Sequence, residues 1–450
     1  MQELLGQIKG IVWGLPTIIL LIGAGIFITL IVKAIQIRKF KYSWGLISGR
    51  YDNSNDKGEV THFQALSAAL SATIGTGNVA GVGIAVATGG PGAVFWMWVT
   101  AIFGMSLKYA ECLLSLNYRI IHADGTVGAG PMYYLEKGLN KKWLGILFAF
   151  FATIASFGIG NMTQANSMAV RLKTDFGCPE LVTGLILGAL VFAVIVGGIK
   201  RIGQVASKLV PFMAIIYVAG ALVISATRFD AIPHAFSLIF REAFTGSAAA
   251  GGFAGATFLL VLRQGVARGL FSNESGLGSA PIAHGAAKTE EPVREGLVAM
   301  LGPFIDTIVI CTMTALVIVV TGAYSTGLSG ADLTGEAFNA GIAGFGGFIV
   351  TFGLVFFAFS TAISWSYYGD RCVDYLFGEK FVIPYRVLYC ILLPVGACIE
   401  LESVWDISDI FNAMMAWPNL IGLIFLSPVV IRMTKEYFSD NSRVFPVNKK

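Results

Sequence analysis

Two glycine-interrupted stretches carry the residue types that could bind a small charged solute inside a membrane. The first is Ser71-Ala72-Thr73-Ile74-Gly75-Thr76-Gly77-Asn78-Val79-Ala80-Gly81. Its glycines, set beside β-branched residues, let a helix unwind. Unwinding frees carbonyls and amides that lipid cannot satisfy. An ion or a zwitterion can. Amides opening the second half-helix would face a carboxylate, and carbonyls closing the first half would face a cation or an ammonium. Gly77 and Gly81 also spell GxxxG, so close helix packing is the alternative reading. The second stretch, Gly269-Leu270-Phe271-Ser272-Asn273-Glu274-Ser275-Gly276, sets four polar residues in an apolar run, with Arg263 and Arg268 just before it. Polar groups at that depth are costly and usually functional. Glu274 is read first as the partner that neutralises one of these arginines.

Three further groups stand out. In Phe357-Ala358-Phe359-Ser360-Thr361-Ala362-Ile363-Ser364-Trp365, residues Thr361, Ser364 and Trp365 share a helix face. Ser360 and Thr361 could offer hard oxygen ligands to a small cation, or merely bond their own backbone. Gln164 is an uncharged donor in mid-run, suited to a substrate carboxylate or to an unwound carbonyl. Asp306 follows Gly302-Pro303 deep in another run, where a cation-site or proton role competes with a neutral, hydrogen-bonded carboxyl.

Composition says which elements must position these groups. The chain has 450 residues, 55% hydrophobic and 13% charged, with mean hydropathy +0.73 and 54 glycines. An average soluble domain is about 25% charged. A disordered chain, a collagen, a disulfide scaffold and nearly any soluble enzyme are thereby excluded, and an all-α polytopic membrane protein is indicated. The six cysteines (112, 178, 311, 372, 390 and 398) show no CxxC and read as reduced packing residues. The four histidines have no ligand spacing, so no structural metal is expected. No HExxH or GxSxG marks an intramembrane enzyme. The N-terminal apolar run is long enough to span, ends at Arg38-Lys39-Phe40-Lys41, and is not followed by a small-residue cleavage site, unlike an ordinary cleaved signal peptide.

Eleven apolar segments of spanning length are predicted: 14–35, 63–88, 91–116, 143–169, 180–199, 204–227, 250–285, 295–322, 342–366, 384–401 and 406–433. They are numbered 1 to 11 below. Segments 2 and 7 hold the glycine breaks. With the N-terminus outside, 23 of the 31 Lys and Arg fall on inward stretches and five on outward ones, which places the C-terminus inside. The net charge of +4 reflects those loops, and no nucleic-acid partner is expected. The expected architecture is a single transmembrane domain over 1–450. It has one extra N-terminal helix (14–35), a first five-helix repeat (61–227), an inverted second repeat (250–433) and a cytoplasmic tail (434–450). Matched broken segments in the two halves are the mark of a transporter's binding site. A channel using the same breaks as a filter is the rival.

The run Gly89-Gly90-Pro91-Gly92-Ala93-Val94-Phe95-Trp96-Met97-Trp98-Val99-Thr100-Ala101-Ile102-Phe103-Gly104 resembles the signature of the alanine/glycine:cation symporter family. Gly75-Thr76-Gly77-Asn78 and the second break are also typical of it, and the resemblance covers the whole chain. It implies a fold similar to the bacterial leucine transporter, and symport of alanine or glycine into the cell by alternating access. Sodium is the implied coupling ion, with protons replacing it in some members, and no other cofactor is implied.

The resemblance also implies roles. The Thr76 and Gly77 amides take the substrate carboxylate and the Thr73 carbonyl takes its ammonium, while Phe271, Ser272 and Trp365 line the side-chain pocket. Gln164 joins them as a candidate substrate contact from its own placement. Carbonyls of Ser71, Ile74 and Phe357 with hydroxyls of Ser360 and Thr361 resemble a sodium site. Thr73 and Asn78 would serve a second cation site, to which Asp306 is the candidate addition. A Trp in the pocket suits a substrate with one methyl group or none. The expected partners are a small neutral amino acid and membrane lipid, with the protein working as a monomer.

Overall fold

The computed structural model describes residues 2–53, 55–245, 257–399 and 402–444. Residues 250–256 at the start of predicted segment 7 and the tail beyond 444 lie outside them, as do 400 and 401 at the end of segment 10. The regular structure of the described residues is helical, apart from one antiparallel pair, Ile120–Ile121 with Val127–Gly128, and a single bridge between Val60 and Ala287.

Among the described residues, eight helices are long and apolar enough to cross a membrane. A ninth is added if His62–Thr73 and Gly77–Gly89, bent by 53°, count as one span. Segments 1, 3, 4, 6, 8, 9, 10 and 11 correspond to those eight. Segment 5 is the apolar helix Glu180–Ile195, 16 residues long. Segment 7 is Phe258–Asn273 followed, after a break, by Ala280–His284. Both fall short of spanning length, so eleven crossings and the two-repeat division remain expectations.

Segment 2 starts at a capping box. Thr61 Oγ1 accepts from Gln64 N (3.2 Å), and Gln64 Oε1 accepts from Thr61 N (3.1 Å). Its first half ends at Thr73, Ile74 turns extended (ψ 96°), and a π-turn over Gly77–Gly81 opens the second half. Asn78 secures the break by accepting the Gly75 amide on Oδ1 at 2.8 Å. Segment 7 breaks differently. Glu274 sits at φ +53°, and Gly276 and Gly278 follow at +83° and +87°. A non-glycine residue in that region is unusual and favours a functional reading. Asn273 Oδ1 accepts the Ser275 amide (3.0 Å) and turns the chain.

Small residues bring these breaks together. A Cβ on Gly77 would lie 3.1 Å from Ser272 Cα, and one on Gly265 would strike the Ala93 carbonyl. Segment 4 carries its own π-turn, Gly158–Met162, and segment 8 another, Phe304–Cys311. Such turns rotate the residues beyond them and recur at functional sites.

Two of the helices that lie outside the predicted segments pack on segments 3 and 2. Ile232–Thr245 packs on segment 3, where Trp96 Nε1 donates to the Ala243 carbonyl at 3.0 Å. Gly330–Gly341 lies over the broken segment 2, with Thr334 Oγ1 donating to the Val79 carbonyl at 2.9 Å. Both are too short and too polar for a search tuned to spanning runs.

Candidate binding site

The two breaks, segment 4 and segment 9 enclose one narrow cavity. Thr73, Thr76 and Gly77 reach it from segment 2, Gln164 from segment 4, Phe271 from segment 7 and Trp365 from segment 9. Six of the seven expected substrate contacts therefore share one space. Ser272 does not line it. Its hydroxyl donates to Asp306 Oδ2 at 2.9 Å, on the far side of the break. The reason is helical rotation: adjacent Phe271 and Ser272 point about 100° apart.

Two polar atoms without partners face the cavity. Gln164 Nε2 donates to the Ile159 carbonyl (2.9 Å) and to Thr76 Oγ1 (3.3 Å), whereas its Oε1 is buried and unbonded. Thr361 Oγ1 is also buried and unbonded. Both atoms aim at Gly75, where an added Cβ would sit 2.6 Å from Thr361 Oγ1 and 3.7 Å from Gln164 Oε1. Leaving a buried polar atom unpaired costs about 1–3 kcal/mol. Two oxygens beside an unwound backbone fit a cation or an ammonium. The leading amides of the half-helix at Gly77 fit a carboxylate.

Glu274 also faces this cavity, and the expectation that it neutralises Arg263 or Arg268 is corrected here. It accepts from Trp365 Nε1 (2.9 Å) and from the Ser279 hydroxyl. The left-handed turn at Glu274 swings the carboxylate inward, away from the preceding helix face. The arginines line a separate cavity of about 220 Å³ with Trp13, Gln264 and Asp409. Phe271 stands between the two spaces, beneath the Arg268 guanidinium, 5.7 Å from ring centre.

The expected sodium ligands meet at the crossing of segments 2 and 9. Ser71 Oγ donates to the Ser360 carbonyl (2.7 Å), and Ser360 Oγ donates to the carbonyls of Phe357 (2.9 Å) and Ser71 (3.3 Å). Ser360 thus bonds its own helix, the alternative left open by the sequence, while also stitching the two segments. Ile74 and Thr361 sit at the same crossing, Ile74 within the unwound turn and Thr361 against Gly75.

The candidate second cation site divides. Asn78 Nδ2 donates to Asp306 Oδ1 (2.7 Å) and to the Asp306 carbonyl (3.1 Å), while Thr307 Oγ1 donates to Asp306 Oδ2 (2.7 Å). Thr73 is not part of this network, because its hydroxyl turns back to the Leu70 carbonyl at 3.3 Å.

Sequence spacing also missed a buried bridge. His62 Nδ1 and His284 Nδ1 contact the two oxygens of Glu295, joining the start of segment 2 to the end of segment 7. These residues are 233 and 11 positions from Glu295, so no local pattern could reveal them. Among the described residues no cluster has metal-ligand character.

A family model for the sodium:alanine symporter family matches residues 1–446. The chain belongs to the sodium:alanine symporter family. A sodium/alanine symporter from Methanococcus maripaludis, AgcS, is 48% identical over 97% of both chains. A probable sodium/glutamine symporter from Bacillus subtilis, GlnT, is 38% identical, covering 97% of this chain and 91% of its own. The solved structure of MhsT with L-phenylalanine superposes with a TM-score of 0.59 at 13% identity, covering 84% of this chain and 99% of that one. That likeness shows the leucine-transporter type of fold. This member of the family is a multi-pass membrane transporter, not an enzyme, and its activity is sodium-coupled amino-acid transport.

Proposed function

We propose that this symporter carries alanine or glycine into the cell together with sodium. The carrying observation is the pair of unbonded buried oxygens, Gln164 Oε1 and Thr361 Oγ1, aimed at the Gly75 break. Thr76 and Gly77 amides take the carboxylate, and the Thr73 carbonyl with Gln164 Oε1 takes the ammonium. Trp365, held by Glu274, and Phe271 close the space around the side chain. Ser71, Ile74, Phe357, Ser360 and Thr361 form the sodium site. Ser360 exchanges its bonds to carbonyls for a shared sodium ion. Sodium then ties segment 2 to segment 9 and favours the substrate-competent state, which is the differential interaction that coupling requires. Rocking of one helix group against the other exposes the cavity inward. The protein works as a monomer in the cell membrane, N-terminus out and C-terminus in.

Labelled alanine uptake into proteoliposomes under an inward sodium gradient tests this reading. Sodium-driven accumulation above equilibrium is expected. Accumulation driven by protons alone would move the coupling role to Asp306. Because one relative is named a glutamine symporter, glutamine belongs in the same experiment. A preference for it would replace the small-substrate reading while retaining the site.

A further inference from the structure

One strongly buried charge has no part in this site as described. Lys108 lies in the middle of Ala93–Tyr118 and is 2% exposed. Gly104, Lys108 and Glu111 share one helix face by i, i+4, i+7 spacing. That face presses on the segment 7 break. A Cβ on Gly104 would lie 2.6 Å from Ser275 Oγ. Glu111 Oε1 accepts from Asn419 Nδ2 (2.6 Å), which also donates to the Gly276 carbonyl (2.9 Å).

Lys108 makes no hydrogen bond and no ion pair within 4.0 Å among the described residues. Instead it lines a small buried cavity with Thr73, Asn273 and His284. Thr73 also lines the central cavity, so one residue at the end of the first half-helix borders both spaces. Asn273, on the Lys108 cavity, donates to Thr307 Oγ1 (3.2 Å), which donates to Asp306 Oδ2 (2.7 Å), and Glu274 follows Asn273 in the chain. An ammonium held inside a protein without a close counter-ion is costly. A site of excess negative charge is what offsets that cost.

Hydrogen bonds already take most of the acceptor capacity where a second mobile cation would bind. Three donors, from Asn78, Ser272 and Thr307, occupy the Asp306 carboxylate. That is three of about four acceptor positions. Asn78 Oδ1 is taken by the Gly75 amide. The negative charge of Glu274 and Asp306 is therefore left for a cation that needs no ligand cage of its own.

We propose that the Lys108 ammonium is a tethered cation standing in for a second coupling ion, so that one sodium moves with each amino acid. This rests on the sodium-symport reading above. The test is the ratio of labelled sodium to labelled alanine taken up by the wild-type protein in proteoliposomes, with the Hill coefficient for sodium activation. A ratio and a Hill coefficient of one are expected. A ratio of two with sodium-driven alanine uptake intact would overturn the tethered-cation role and leave the symport reading standing. No sodium-driven uptake at all would overturn both.

Lys108→Gln vacates the position. Its sodium-to-alanine ratio should rise towards two with a Hill coefficient above one, while Lys108→Arg should keep a ratio of one. Wild-type ratio and kinetics in Lys108→Gln would also overturn the inference. Should that variant fail to fold, Lys108→Arg remains to be compared, and a wild-type ratio of two still overturns the inference.

Discussion

At the scale of single residues, the site depends on a few atoms whose partners are known. Trp365 is 1% exposed, and its indole is fixed by Glu274. Trp365→Ala removes the largest wall of the cavity. It should admit leucine-sized amino acids in competition assays while alanine affinity falls about tenfold, equivalent to about 1.4 kcal/mol. An unchanged substrate range would take Trp365 out of the pocket. Thr361 presents an unbonded oxygen to the unwound turn. Thr361→Ala should raise the sodium concentration for half-maximal uptake by about tenfold, from loss of a ligand worth about 1.5 kcal/mol. The variant should elute from size exclusion like the parent. Sodium activation that matches the parent would show the hydroxyl to be structural.

At the scale of elements, the breaks work because neighbouring helices leave room for them. The π-turn Gly158–Met162 swings Gly160 against Trp365, so closely that an added Cβ would collide with the Trp365 Cβ. Gly160→Ala must push segments 4 and 9 apart or tilt the indole. Overpacking of this kind costs about 1–3 kcal/mol. A lower melting temperature in detergent and weaker alanine binding are expected together. A parent-like melting temperature with unaltered binding would remove this contact from the site's support.

At the scale of the whole molecule, the end predicted to face the cytoplasm is tied shut. The Glu59 amide donates to the Ala286 carbonyl (2.8 Å) and the Lys288 amide to the Val60 carbonyl (2.7 Å), joining the lead-in of segment 2 to the exit of segment 7. Arg119 spans the same junction. Its guanidinium donates to the carbonyls of Gly285, Ala287, Lys57 and Thr289 at 2.7 to 3.0 Å. Arg119→Met deletes all four bonds, and charged donors contribute about 1.5–3 kcal/mol each at most. The population should shift towards the inward-open form. Faster labelling of a cysteine placed at Thr73 by a membrane-impermeant thiol reagent on the cytoplasmic side would report it, and unaltered labelling would show that the junction is not a gate. Orientation has its own check. In a cysteine-free background, Asp230→Cys should be labelled from outside intact cells and Lys435→Cys should not. The reverse pattern would invert the topology.

Much of this was legible in the chain because its signals are local. Hydrophobic runs mark the eight helices that reach spanning length among the described residues, since lipid demands long apolar helices. Two glycine breaks mark the site, since only unwound backbone leaves polar groups to be satisfied at depth. The Gly89–Gly104 run points to the family. Four of the six expected contacts that share the cavity lie on or beside a break whose position the sequence marks, and Gln164 and Trp365 reach it from segments 4 and 9. What required tertiary structure was direction and partnership. Ser272 faces Asp306 because it sits one residue past Phe271 on the helix. Glu274 chose Trp365, 91 positions away, over the arginines just before it because a left-handed turn reverses its side chain. Lys108 and the His62–Glu295–His284 bridge gain meaning only from neighbours on other helices. Local sequence sets where a helix starts, spans and breaks, whereas the packing of one helix on another decides which side chain each buried charge meets.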